Sequence, residues 1–149
     1  MYNHILIPTD GSEPSEKAVR GGVDLAKLCG ATITFVTVLG PSHALPEEPR
    51  MVVKSRDGDG DQVQDYLSAR ADARLAVAES IAQERDVTCQ TVALEHDHAY
   101  QGILDTATER GCDLIVMASH GLSGTSETML GSETLKVLTH SNMPVVIYR

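Results

Sequence analysis

Tryptophan is absent and only five residues are aromatic, Phe35 and the tyrosines at 2, 66, 100 and 148. A base-stacking platform for single-stranded nucleic acid therefore lacks its main ingredient. Basic residues are also scarce: 12 Lys and Arg stand against 21 Asp and Glu, a net charge of −9. That balance excludes a broad basic face for DNA or an anionic membrane, because phosphate neutralisation needs clustered cations. A single small anion held locally remains compatible with it. No apolar run approaches the ~20 residues of a membrane span, and the chain enters a strand pattern at once without a charged leader, so a cytoplasmic location is expected. The three cysteines, Cys29, Cys89 and Cys112, are odd in number and widely spaced, the pattern of reduced, mostly buried thiols.

What is present is an ordinary globular composition. The chain has 149 residues, 42% hydrophobic and 22% charged, enough for one domain over residues 1–149 and too few for two comfortable ones. Ile5 to Ile7 form a short apolar run closed by Pro8, as in a strand buried on both faces. Ser12 caps a helix that tolerates Pro14 in its first turn and stops at Gly30. Ala31 to Val38, rich in Thr, Val, Ile and Phe, completes a βαβ unit with a right-handed crossover. Periodicity disappears from Leu39 to Gly60, which reads as a long mobile loop.

A helix is expected over 61–85, with Val63, Leu67, Ala71, Leu75, Ala78 and Ala82 on one face. A strand follows over 88–94, then a helix opened by Asp97 and ended by Gly111. A fully apolar strand over 114–117, a helix over 132–140 and a last strand over 145–148 complete the order β, α, β, α, β, α, β, α, β. Without repeats or a second composition regime, this predicts an α/β fold, a single-domain doubly wound (Rossmann-like) five-stranded parallel sheet with helices on both faces.

Such sheets bind ligands outside the carboxyl ends of their strands, where the winding reverses. That rule selects the turns after Ile7, Val38 and Met117, with Pro8, Thr9, Asp10, Val38, Met117, Ala118 and Gly121 as candidate ligand-binding positions. They are joined by Gly131, Ser132 and Glu133, where the chain returns to a helix whose first N–H groups favour a phosphate. On spacing alone, an ordinary glycine-bearing loop with Ser132 as helix cap serves equally. Asp10 reads as a ligand residue, with satisfaction of backbone donors as the alternative.

The segment Ala118-Ser119-His120-Gly121, nine residues, then Gly131-Ser132 resembles the universal stress protein family. Its nucleotide-binding members carry glycine, two residues, glycine, nine residues, glycine and serine or threonine. The opening 5–12 (ILIPTDGS) and the closing 144–147 (PVVI) are similar to that family as well, and the resemblance covers essentially the whole chain. It implies ATP or a close adenine nucleotide, with Mg²⁺, as ligand. Asp10 would then lie near the ribose or the metal and Val38 would offer backbone groups to adenine. Ala118, Gly121, Gly131 and Ser132 would hold the phosphates. The same resemblance implies a nucleotide-dependent stress regulator that forms a homodimer through the strand over 145–148, an uncovered apolar edge. Two rival readings keep the fold: an interaction protein without nucleotide, and a slow ATPase.

The chain departs from that pattern twice. Ala118 stands where the family has glycine, and a left-handed backbone there would cost a Cβ roughly 1–2 kcal/mol. The loop over 122–130 has no lysine or arginine and instead contains Glu127, so phosphate charge falls to backbone donors, hydroxyls and Mg²⁺.

Other motifs resolve to bland readings. No Gly-Lys-Ser/Thr sequence occurs, which excludes a P-loop ATPase. His120 offers an acid or base near the phosphates, with a solvent-facing histidine of no catalytic role as the favoured reading. His96-Asp97-His98 lacks a third metal ligand and reads as a capping Asp97 between exposed histidines. The acidic run over 57–61 has Gln62 and Ser68 where an EF-hand needs glycine and glutamate. His4, His43 and His140 read as surface or helix-end residues, and Met117, Met129 and Met143 as gap fillers.

Overall fold

A computed structural model describes residues 1–40, 59–121 and 130–149, with the side chains of 59–65 left aside. Most of the expected 39–60 loop, the start of the acidic run, His43, Glu127 and Met129 lie outside the described residues, as does the side chain of Val63. Five strands, β1 (His4–Pro8), β2 (Thr32–Leu39), β3 (Cys89–Glu95), β4 (Leu114–Ala118) and β5 (Val145–Tyr148), alternate with four helices. The helices are α1 (Glu13–Cys29), α2 (Asp59–Glu84), α3 (Ala99–Glu109) and α4 (Ser132–His140).

All four strand pairings are parallel, in the order β3-β2-β1-β4-β5. Alternation along β1 divides the core. Ile5 and Ile7 pack with Phe35, Val116 and the inner faces of α1 and α2, through Val19, Val23, Leu75 and Ala78. Leu6 points to the other layer with Val36, Ile115 and Met117, under Ile103 and Ala107 of α3 and Val137 of α4. Helices thus cover both faces, as the unbroken apolar strands require. The winding reverses between the central strand β1 and its neighbour β4 and opens the crevice there.

Local chemistry sets the helix ends. Ser12 Oγ accepts the Ser15 N–H at 3.3 Å, Pro14 sits in the first turn of α1, and Gly30 closes the helix at φ +68°. The inner face of α2 is Leu67, Ala71, Leu75, Ala78, Ile81 and Ala82, all buried. The helix begins at Asp59 rather than 61, while Leu39 belongs to β2 and is buried against Leu67 and Ala71.

Four further expectations are corrected. Asp97 does not cap α3: the cap position is His98, whose side chain makes no capping bond. The Tyr100 N–H at that end instead donates to Glu133 Oε2 of α4 at 2.8 Å. His96 is half-buried, with Nδ1 accepting the His98 N–H at 2.9 Å, so the two histidines are not equally exposed. His4 lies on β1 with Nε2 2.8 Å from the buried Thr34 hydroxyl, which makes it part of the sheet's amino end rather than a surface residue. All three cysteines are free, but only Cys112 is buried; Cys29 and Cys89 are half-buried because they lie at element ends. No helix among the described residues is long and apolar enough to cross a membrane.

Candidate functional site

The carboxyl ends of β1, β2 and β4 surround a cavity of about 300 Å³. Its lining contains all ten positions selected above: Pro8, Thr9, Asp10, Val38, Met117, Ala118, Gly121, Gly131, Ser132 and Glu133. Ser15, Val36, Ala99, Ile103, His120 and Thr134 also line it. Ala99 and Ile103 were invisible in linear order because α3 reaches the site only through packing. The signal for that approach is Gly102, where a Cβ would stand 3.0 Å from Leu94 Cδ1 and 3.3 Å from Val38 Cγ2. Glycine there lets α3 settle on the end of β2.

The β1 turn is held by its own side chains. The Thr9 N–H donates to Val36 O at 2.9 Å, and Thr9 Oγ1 lies 3.1 Å from Ser15 Oγ. The Gly11 N–H donates to Thr9 Oγ1 at 3.3 Å, and Gly11 itself sits at φ +79°, where a side chain is strained. Asp10 Oδ1 accepts the Ser12 N–H at 2.9 Å. The backbone-satisfying role and the cavity-facing position of Asp10 therefore coexist. Beside this turn, from α2, lies Arg74, which carries no local sequence signal as a site residue. Its Cγ is 3.0 Å from the place a Gly11 Cβ would occupy, and its Nη1 donates to Thr37 Oγ1 at 3.5 Å. Burial pulls the Arg74 guanidinium below its ordinary pKa and Arg70 adds to this, while Asp10 opposes both by favouring the charged form.

On the opposite wall, Ala118 is an ordinary strand residue. Among the described residues only Asp86 combines a side chain with positive φ, so the left-handed penalty considered for Ala118 does not arise. Its carbonyl accepts the Thr134 hydroxyl at 2.9 Å, tying β4 to α4. Gly121 is required by space: a Cβ there would meet the Asp10 carboxylate. Gly131 is required for the same reason, since its Cβ would stand 3.1 Å from His120 Cα and 3.2 Å from Ser119 O.

Gly131, not Ser132, is the cap residue of α4. Its N–H is not unpaired, as expected from a helix start, but donates to Ser119 O at 2.7 Å. The first-turn amides that follow it, at Ser132 and Glu133, are the ones a helix leaves without an internal partner. Ser132 is exposed, and Glu133 Oε1 lies 3.5 Å from Lys136 Nζ while Oε2 caps α3. His120 is half-buried against the cavity rather than simply facing solvent, with Nδ1 2.6 Å from Ser119 Oγ.

The first turns of α1, α3 and α4 contribute Ser15, Ala99 and Ser132 to this one lining. The start of α3 is already met by the Glu133 carboxylate, which leaves the positive ends of α1 and α4 to favour an anion there. The Val36, Val38, Ala99 and Ile103 side supplies an apolar surface, and the Gly121, Gly131 and Ser132 side a polar one.

Comparison with known proteins follows the same outline. The family model of the universal stress protein family matches residues 1–149. Universal stress protein YxiE of Bacillus subtilis is 32% identical over 149 residues, spanning 100% of both chains. Universal stress protein MJ0577 of Methanocaldococcus jannaschii is 26% identical, covering 100% of this chain and 96% of its own. A solved structure of MJ0577 superposes with a TM-score of 0.80 at 24% identity, over 99% of this chain and 95% of that one. A universal stress protein in complex with cAMP superposes with a TM-score of 0.68 at 23% identity, covering 99% and 97%. The Archaeoglobus fulgidus protein in complex with dAMP gives 0.62 at 20%, covering 99% and 98%. At these structural identities the likeness is one of fold. Agreement that runs the full length of the chain, in family model and curated relative alike, makes this protein a member of the universal stress protein family.

Proposed function

We propose that the protein binds ATP or a close adenine nucleotide at the carboxyl ends of β1, β2 and β4 and acts as a nucleotide-dependent regulator. The observation that carries this reading is the two-sided cavity. Its apolar half, between Val38 and the start of α3, suits a planar base, and its polar half lies at the first turn of α4. Its volume of about 300 Å³ falls at the lower end of the range of small-molecule clefts, about 300–1,000 Å³. Relatives of the same fold solved with cAMP and with dAMP support an adenine nucleotide as the ligand class.

In this reading Asp10 serves the ribose or a Mg²⁺ ion, to which a carboxylate offers the hard oxygen the ion prefers. Ser132 holds phosphate through its N–H and hydroxyl, and Gly121 and Gly131 keep that wall clear of side chains. Gly131 acts by shape, its own amide being turned toward Ser119. The β5 edge, whose four residues are all half-buried, serves a second copy of the chain, since an unpaired edge strand is relieved by pairing.

Isothermal titration with ATP and Mg²⁺ tests the reading, with GTP as the comparison. Saturable binding of ATP in preference to GTP is expected. Absence of heat with ATP at millimolar concentration would leave an interaction protein of the same fold.

A further inference from the structure

His120 lines the cavity beside Gly121 and Ser132, yet the nucleotide reading gives it no task. Its position is fixed from several sides. The Ser119 N–H donates to Tyr148 O of β5 at 2.8 Å, and Ser119 O accepts the Gly131 N–H at 2.7 Å. Gly131 packs so closely that an added Cβ would stand 3.3 Å from His120 Cβ. Ser119 is 3% exposed, and its hydroxyl lies 2.6 Å from His120 Nδ1. Among the described residues that is the ring's only hydrogen bond.

A hydroxyl opposite Nδ1 governs what Nε2 can do, because it donates or accepts as required. When it donates to the neutral ring, the ring proton sits on Nε2. When the ring is charged, Nδ1–H donates to the hydroxyl and Nε2 still carries a proton. An anion in the cavity selects the first of the two neutral tautomers, so Nε2–H is a donor whether the ring is neutral or charged. Histidine is also the side chain whose charge changes in the physiological range.

We infer that His120, oriented by Ser119, is a proton-dependent ligand for the polyphosphate of the bound nucleotide. This rests on the nucleotide reading and deepens it. Nε2–H donates to a phosphate oxygen, and protonation adds the positive charge that residues 122–130 lack. His120 touches the ligand; Ser119 is a positioning residue.

The surrounding charges make one proton matter. The other titratable groups of the lining are carboxylates: Asp10 from the β1 turn and Glu133 from α4. Arg74 stands behind the first, and Lys136 lies 3.5 Å from the second. α1 and α3 face the cavity with the uncharged Ser15, Ala99 and Ile103, and β5 meets Ser119 through the Tyr148 carbonyl. Two carboxylates repel a polyphosphate, and the imidazolium offsets part of that repulsion.

The test is calorimetric titration of the whole chain with ATP and with adenosine at about pH 8 and about pH 5.5. Wild type, His120→Gln and Ser119→Ala are compared. Gln keeps a donor but takes no charge. Phosphate gains a proton over the same range, so the readout is the ratio of wild-type to variant affinity at each pH. For His120→Gln and ATP, a ratio of about threefold or less at the higher pH is expected to rise to about tenfold at the lower. Adenosine should show no difference. Ser119→Ala should weaken ATP at both pH values while keeping the wild-type pH trend. A ratio for His120→Gln that is the same at both pH values overturns the inference, as does an equal loss for adenosine. If wild type binds neither ATP nor adenosine, the nucleotide reading fails separately. The ring is then followed by ¹⁵N imidazole resonances with inorganic tripolyphosphate: movement of His120 Nε2 sustains the anion contact, and no movement removes it.

Discussion

The carboxylate of Asp10 occupies the space that any side chain at Gly121 would need. One residue follows β1 and the other follows β4, the strands between which the winding of the sheet reverses. Their close approach across the crevice joins the two walls of the cavity, and it makes Gly121 a matter of space, since its φ is not in the left-handed region.

Gly121→Leu is therefore expected to displace Asp10 and fill the cavity mouth. ATP affinity should fall by more than about tenfold. Unfolding stability should change by less than about 1 kcal/mol, because the position lies in a loop outside the core clusters. Titration calorimetry and urea unfolding of the same variant check the two halves.

Gly22 on α1 gives a contrasting outcome. Its Cβ would press on Ile7 Cδ1 and stand 3.3 Å from Val116 Cγ1, both side chains fully buried. Alanine in a helix interior normally gains about 0.5–1 kcal/mol over glycine, but overpacking a filled core costs typically about 1–3 kcal/mol. The second effect is the larger, and Gly22→Ala should lower the urea midpoint without changing the slope.

Cys112 sets an alkaline limit. Burial above all, and then Asp113, push its thiol up to about 11, against the opposing effects of Arg110 and Thr34. The folded chain holds this proton where the unfolded chain, with a thiol near about 8.5, has released it. The stability so contributed is complete below the unfolded value and is lost as pH rises toward the folded one. Wild type should thus lose stability between about pH 9 and about pH 11 more steeply than Cys112→Ala, by up to about 1.4 kcal/mol per pH unit. Urea unfolding across that range reads the difference.

Element order, helices on both faces and the ten lining positions were legible from local signals, the strand-end rule and the motif resemblance; the order of the strands across the sheet was not. Ile5 to Ile7 has no polar residue to turn outward, Ser12 and Gly30 mark both ends of α1, and topology alone selects the strand ends. What escaped depends on packing between distant segments. Asp97 has the chemistry of a cap, yet α3 starts one turn-position later because Glu133 of α4 is available to meet the Tyr100 N–H. Arg74 stands two elements away in sequence from the Asp10 it accompanies. His120 looked like a surface histidine because the hydroxyl that holds its ring is set only once β5 and Gly131 fix Ser119. The backbone penalty attached to Ala118 dissolves for a related reason: the glycine pattern of a family does not tell a need for left-handed backbone from a need for space, and the strand geometry at this position removes the first.

The most direct measurement is a crystal structure of the chain soaked in ATP and Mg²⁺ at saturating concentration. Nucleotide density is expected with adenine between Val38 and Ile103, ribose at Asp10, and phosphates at the Ser132 N–H and His120 Nε2. A cavity holding only water under those conditions, or closed by movement of its own walls, would contradict nucleotide binding at this site.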